Sequence, residues 1–173
     1  MAGSLIKIDE EIVTSAVASV TLGGADWDSS YDVYMVKFNN VVSSGTGNIV
    51  TRFLASSSPD TSSNYSGAVK RLRADTTFGN IYGPPQTYLS SGIVLDTDAS
   101  YNGVYYLFNF NNASEYSFIT FEDTNLYDGG TLHIGGQGGG VLTVSQATNG
   151  IQFYMLTAVN ITSGKFTLYG LKK

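Results

Sequence analysis

Apolar and polar residues alternate with a period of two in short runs along most of this chain. That period puts successive side chains on opposite faces of a β-strand. In Tyr31-Asp32-Val33-Tyr34-Met35-Val36-Lys37-Phe38, one face collects Tyr34, Val36 and Phe38, and Asn39-Asn40 ends the run. Residues 49–54, 65–72, 92–95, 116–121, 131–134, 141–144, 151–156 and 165–169 read the same way, the last with Phe166 and Leu168 inward. Val104-Tyr105-Tyr106-Leu107-Phe108-Asn109-Phe110 is apolar on both faces, which predicts a central strand covered on both sides. Residues 11–22 are less plain. Val13, Ala16, Val17 and Val20 fit one face of a helix capped by Asp9, but the many β-branched residues and the alternation of Ala16, Ala18, Val20 and Leu22 favour a strand.

Gly, Asn, Asp and Ser clusters punctuate these runs, the rhythm of a sandwich or barrel. Residues 55–64 are Ser-rich and carry Pro59, so they predict a surface loop. Residues 75–88 predict irregular chain, because Pro84-Pro85 excludes a central strand there. The glycines of 135–140 predict a flexible hairpin tip or close-contact loop, and Asn149-Gly150 a turn. The pattern gives roughly nine to eleven strands, in line with a jelly roll plus added hairpins. The expected fold is therefore all-β: a single antiparallel β-sandwich, jelly-roll-like, over residues 1–173, with 1–10 as an extended N-terminal arm.

Composition narrows the function classes. A chain of 173 residues can bury roughly 70% of its unfolded surface without staples. With no cysteine, disulfides, thiolate catalysis and Cys-based metal sites are excluded. Charged residues are 13%, about half the usual share. The net charge of −5 has the wrong sign for nucleic acid, and a solvated strand face accounts for Lys70, Arg71 and Arg73. The first nine residues lack the charged-then-apolar order of a signal peptide. No run approaches the length of a membrane span. Neither nucleic acid nor membrane is an expected partner.

No constellation for catalysis is legible. The glycine run lacks the Lys and Ser/Thr of a phosphate loop and precedes no helix. Residues 96–103, Asp96-Thr97-Asp98-Ala99-Ser100-Tyr101-Asn102-Gly103, start like a calcium loop, but Tyr101 and Leu107 stand where such a loop needs Gly and a bidentate Glu. Asp26-Trp27-Asp28 makes a weaker metal case still. His133 is the lone histidine, without a nucleophile elbow or thiolates to complete a triad or zinc site. Glu10, Glu11, Glu115 and Glu122 offer no evident carboxylate pair for glycoside hydrolysis. The expectation is no catalytic residue, no cofactor and no metal. Twelve tyrosines and Trp27 exceed the needs of a core and suit subunit contact or sugar stacking. Trp27, Tyr82, Tyr88 and Tyr127, placed on loops, are the candidate interface or glycan contacts.

Three segments carry a resemblance: Ser4-Leu5-Ile6-Lys7-Ile8 before Ala16-Val17-Ala18-Ser19-Val20, Tyr31-Asp32-Val33-Tyr34 to Asn39-Asn40-Val41, and Ser163-Gly164-Lys165-Phe166-Thr167-Leu168-Tyr169-Gly170-Leu171. Together they resemble small structural proteins of tailed bacteriophages, marine phages among them, labelled capsid decoration, head-fibre or tail-fibre proteins. The resemblance implies a sandwich or jelly roll on the virion, a homo-oligomer such as a trimer, other virion proteins as partners and no catalytic residues. The expected function is a non-enzymatic virion component acting by protein–protein packing. The alternative is a receptor- or carbohydrate-binding module at a fibre tip, with a host-surface glycan as partner.

Overall fold

The computed structural model describes residues 4–75, 77–97, 99–127 and 130–172, with backbone alone at 82–84 and 172. Their strands are β1 (Ser4–Val13), β2 (Ser19–Gly23), β3 (Val33–Ser43), β4 (Gly47–Ala55), β5 (Ser58–Pro59), β6 (Tyr65–Arg73), β7 (Phe78–Gln86), β8 (Leu89–Leu95), β9 (Tyr101–Phe108), β10 (Ser117–Tyr127), β11 (Leu132–Leu142), β12 (Gly150–Met155) and β13 (Ile161–Lys172). The only helical turn among the described residues is Gly24–Asp26. The fold is an all-β antiparallel sandwich. An 8-stranded sheet runs β1-β13-β3-β9-β10-β11-β6-β7, and a 5-stranded sheet runs β2-β12-β4-β5 with β8 also on β4.

The pairing explains the topology. Without β5–β7 and β10–β11, eight strands remain. They pair first with last (β1–β13), second with seventh (β2–β12), third with sixth (β3–β9) and fourth with fifth (β4–β8). Such nested pairs form one long ribbon, rolled so that alternate pairs fall in opposite sheets, which is the jelly roll. The remaining long strands extend the large sheet beyond β9, in the order β10-β11-β6-β7.

Rolling accounts for the first departures from expectation. Residues 11–22 are not one strand. The chain leaves the large sheet after Val13 and enters the small one at Ser19, held between by a bridge from Val17 to Ile161. Residues 4–10, expected as an extended arm, are an extended strand laddered onto β13. β1 is an edge strand, blunted by a bulge between Lys7 and Asp9 and by the Glu10 carboxylate, which bridges to Lys165 at 2.9 Å.

Two segments expected to be irregular are strands. β7 contains Pro84-Pro85, yet it is the far edge of the large sheet, and the prolines fall where its register with β6 shifts between Tyr65 and Gly67. Proline is excluded from central strands but tolerated at an edge or bulge. Residues 135–140 lie inside β11, laddered between β10 and β6, so they are neither a hairpin tip nor a loop, although their neighbours do approach closely. Gly136 and Gly140 leave room for β8: a Cβ on Gly140 would overlap the Leu89 side chain, and one on Gly136 would overlap the Asp123 carboxylate. At Gly138 a Cβ would overlap the Ala68 carbonyl oxygen, which is backbone and fixed by the ladder. Gly138→Ala is therefore expected to lower stability by about 2–3 kcal/mol through overpacking, measured as a lower urea midpoint at unchanged m-value. A midpoint equal to that of the parent contradicts the fit.

The core lies between the sheets. Phe38, Phe53, Phe110, Phe153 and Phe166 are fully buried along with Tyr34, Tyr65 and Tyr101. β9 is central as expected, but the chain covers it on one face only. Tyr105 and Leu107 point into the core, while Tyr106 stays 38% exposed on the outer face of the large sheet.

Candidate functional site

The most unusual chemistry is inside the sandwich, at inward positions that the apolar pattern alone does not mark. β10 alternates without interruption through Glu122-Asp123-Thr124-Asn125, so Asp123 and Asn125 continue the inward series of Ser117, Ile119 and Phe121. Asp123 Oδ2 accepts from the Tyr101 hydroxyl at 2.6 Å and the Tyr105 hydroxyl at 3.2 Å. The two phenols are 2.8 Å apart, and Ser91 Oγ of β8 is 3.3 Å from the Tyr101 hydroxyl. Asn125 Nδ2 donates to the Val94 carbonyl at 2.6 Å, a second polar tie to β8. Burial pushes the Asp123 carboxyl up to about 6, against the pull of hydrogen bonds from Tyr101, Ser91 and Tyr105. Burial, then the Asp123 charge, pushes both phenols well above their ordinary range. The Gly136 backbone also faces the Asp123 carboxylate, whereas Asn125 Oδ1 has no donor among the described residues. The cluster locks β8 against β9 and β10. All four of its hydroxyl and carboxylate side chains, Ser91, Tyr101, Tyr105 and Asp123, are buried.

The aromatic candidates fall in different places. The Trp27 ring packs 3.9 Å from Tyr34 and 5.7 Å from Phe110, and its indole N–H donates to Asn111 Oδ1 at 2.6 Å. Asn111 Nδ2 in turn donates to the Tyr31 carbonyl at 3.1 Å and to the Tyr34 hydroxyl, so Trp27 closes one end of the core. Tyr127 belongs to the opposite end of β10, half-buried against the core. Tyr82 sits in β7 opposite Ala68, and its side chain lies outside the described residues. Tyr88, between β7 and β8, lines a cleft that also holds Arg71. Trp27, Tyr88 and Tyr127 lie in three separate places.

The remaining candidates separate too. Glu10 and Glu122 share a transverse row through Thr167, Lys37 and Val104. That is four strand spacings, or roughly 19 Å, beyond the reach of a glycosidase pair. Glu115 is 3.0 Å from Asn109 Nδ2. His133 Nε2 is 2.6 Å from Thr124 Oγ1 on the neighbouring strand. Asp98 of the calcium-like segment lies outside the described residues, and Tyr101 of that segment is committed to the core cluster. The basic cluster is split by strand alternation. Lys70 is exposed, whereas Arg71 is half-buried on the inner side, where its Nη2 donates to the Gly92 carbonyl. Sequence reasoning missed Arg71 and Asp123, although each continues an inward alternation, Tyr65-Gly67-Val69-Arg71 and Ile119-Phe121-Asp123.

Fold and interior together define a jelly-roll sandwich with a polar lock at its centre. No family model matches the chain, and no curated protein matches it. Among solved structures it is similar to a structural-genomics protein of unknown function from Bacteroides ovatus, at 8% identity and a TM-score of 0.23 over 70% of this chain and 45% of that one. It is also similar to chains of infectious bursal disease virus, strains Gt (9% identity, TM-score 0.13, 95% of this chain and 42% of that one) and Gx (11%, 0.14, 98% and 41%). The chain spans less than half the length of each. None of these likenesses is close enough to carry the fold or a function across.

Proposed function

We propose that this chain is a non-enzymatic structural component of a bacteriophage particle, a decoration or fibre subunit that works by packing against other copies of itself. One observation carries the reading: β9 is apolar on both faces, but its own chain covers one. On the outer face Val33, Phe108, Phe118 and Val141 form a continuous transverse row over four strands. Met35, Tyr106 and Thr120 form the next row. Phe118 is 43% exposed there. The following row carries Lys37 and Glu122, charges of both signs at the border of the apolar band. An apolar centre with a charged rim is the anatomy of an interface. Both edges of the large sheet are blunted, by the β1 bulge and by the β7 prolines, so growth by edge pairing is disfavoured and contact through the face is favoured. Many copies on one shell make modest contacts effective. The phage assignment comes from the sequence resemblance, and the jelly-roll ribbon suits it.

The test is the mass of the isolated protein in solution. The parent is expected to sediment as a concentration-dependent oligomer, and Tyr106→Lys/Phe118→Lys as a monomer with an unchanged thermal midpoint. Binding of the parent to purified phage particles, lost in the double variant, supports the virion role. A parent that stays monomeric at high concentration and is not retained on particles overturns the proposal.

A further inference from the structure

On the inner side of the large sheet, the sandwich opens where β6 and β7 face β8, leaving a cleft of about 210 Å³. Two irregular strands keep it open. In β8, Asn48 pairs with Val94 but Val50 pairs with Ser90, so the three residues 91–93 stand opposite Ile49 alone. Gly92, at φ +72°, makes that bulge. In β7 the Pro84-Pro85 bulge displaces the facing edge.

The lining divides by chemistry. Val69, Ile81 and Leu89 give an apolar wall. The rest of the lining includes the polar residues Asn48, Gln86, Tyr88 and Arg71. Arg71 Nη2 is held by the Gly92 carbonyl, and its Nε, shielded from water, has no acceptor. The ion pairs among the described residues are Lys7–Glu10, Arg73–Asp75 and Lys165–Glu10, and none includes Arg71. Among the described residues, no carboxylate lines the cleft. A half-buried cation without a counter-ion among the described residues, in a chain of net charge −5, needs a reason, because unpaired buried donors are rare in native structures.

We propose that this cleft binds one carboxylate-bearing sugar ring, a uronate-type saccharide residue. The guanidinium takes the carboxylate, for which its planar fork is suited. The two amides and the phenol take ring hydroxyls, and the wall of Val69, Ile81 and Leu89 takes the C–H face of the ring. The cleft opens on the side of the large sheet away from Tyr106 and Phe118, so this activity is separate from the packing face, and its failure leaves the packing proposal standing.

The experiment is a titration of the isotope-labelled full chain, followed by amide NMR, with glucuronate, glucose and acetate in turn. Glucuronate is expected to shift Gly67 and Gly92 saturably and to bind about tenfold tighter than glucose or acetate. Arg71→Gln is expected to erase the preference for glucuronate over glucose. Tyr88→Ala, which leaves the Arg71 hydrogen bond to the Gly92 carbonyl in place, is expected to weaken glucuronate and glucose alike while the thermal midpoint holds. If Arg71→Gln does not fold, Tyr88→Ala and Gln86→Ala decide by the same readout. Absence of saturable shifts overturns the proposal. So does acetate binding as well as glucuronate, or a preference that survives loss of the guanidinium.

Discussion

Asp123→Asn is expected to stabilise the protein at pH 7 by about 3 kcal/mol and to remove most of the pH dependence of stability between pH 4 and 6. The unfolded carboxyl releases its proton near 3.9. Buried among Tyr101, Tyr105 and Ser91, the folded one keeps it up to about 6. Between those values the folded chain binds a proton that the unfolded chain does not, so stability falls as pH rises through the window. Above it the charge is fully present in the core, and two pH units correspond to about 3 kcal/mol. The direction is opposite to that of Glu10, Asp28, Asp60 and Asp75. Hydrogen bonds and nearby cations hold those carboxyls below their ordinary range, so their contribution is present above about pH 4 and lost only in stronger acid. The two effects therefore occupy separate windows. Asparagine preserves the acceptor that Tyr101 and Tyr105 use. Urea denaturation of both proteins from pH 4 to 8 tests this. A variant less stable than the parent at pH 7, or a parent whose stability climbs from pH 4.5 to 6.5, contradicts it.

That lock also marks where sequence reasoning reached its limit. Period-two alternation located β3, β4, β9, β12 and β13, because most of their buried positions are occupied by Val, Ile, Leu, Phe and Tyr. On β10 the same alternation continues past Phe121, but its inward positions become Asp123 and Asn125, whose burial depends on partners from β8 and β9 that lie far away in sequence. The glycines of β11 were illegible for the converse reason. Glycine is a loop former by local propensity, and only the approach of β8 and β6 makes its lack of a side chain a packing requirement. Pro84-Pro85 excluded a central strand correctly, but whether a strand lies at an edge is a property of the whole sheet. Strand β1 and strand β2 read as one because the ribbon changes sheets without a Gly or Pro to mark the crossing. The cleft was visible only through Tyr88. Arg71 read as a surface charge, since its place on the inner face follows from strand register and not from residue type. Trp27 read as a loop aromatic free to bind, and the residue that makes it part of the core is Asn111, 84 positions away.

Phe38→Ala is expected to cost about 4–5 kcal/mol, the upper end of the range for aromatic truncation. Phe38 is fully buried in β3, stacked on Tyr101 at 4.6 Å and edge-on to Tyr105 at 5.1 Å, with Phe166 at 6.1 Å. Across the sandwich it meets Phe153 of the small sheet at 5.6 Å, so one ring joins both layers. The cost depends on whether neighbours can fill the hole. Here they cannot readily do so: opposite Phe38 in the sheet is Gly103, over which the ring lies, and Tyr101 and Tyr105 are held by Asp123. Calorimetry or urea denaturation at pH 5 gives the number, and a loss under about 2 kcal/mol would show that the layers close over the gap. The ring has a second consequence, which links the two variants. Phe38 walls off the phenols that shield Asp123, so its removal admits water toward the carboxylate and lowers the burial that raises that group's pKa. The parent's fall in stability between pH 4 and 6 should then shrink in Phe38→Ala, and adding Asp123→Asn should gain less in that background than in the parent. Equal gains in the two backgrounds would mean that the aromatic core and the polar lock are independent. The geometry, with Phe38 in contact with both tyrosines of the lock, makes them one cooperative unit.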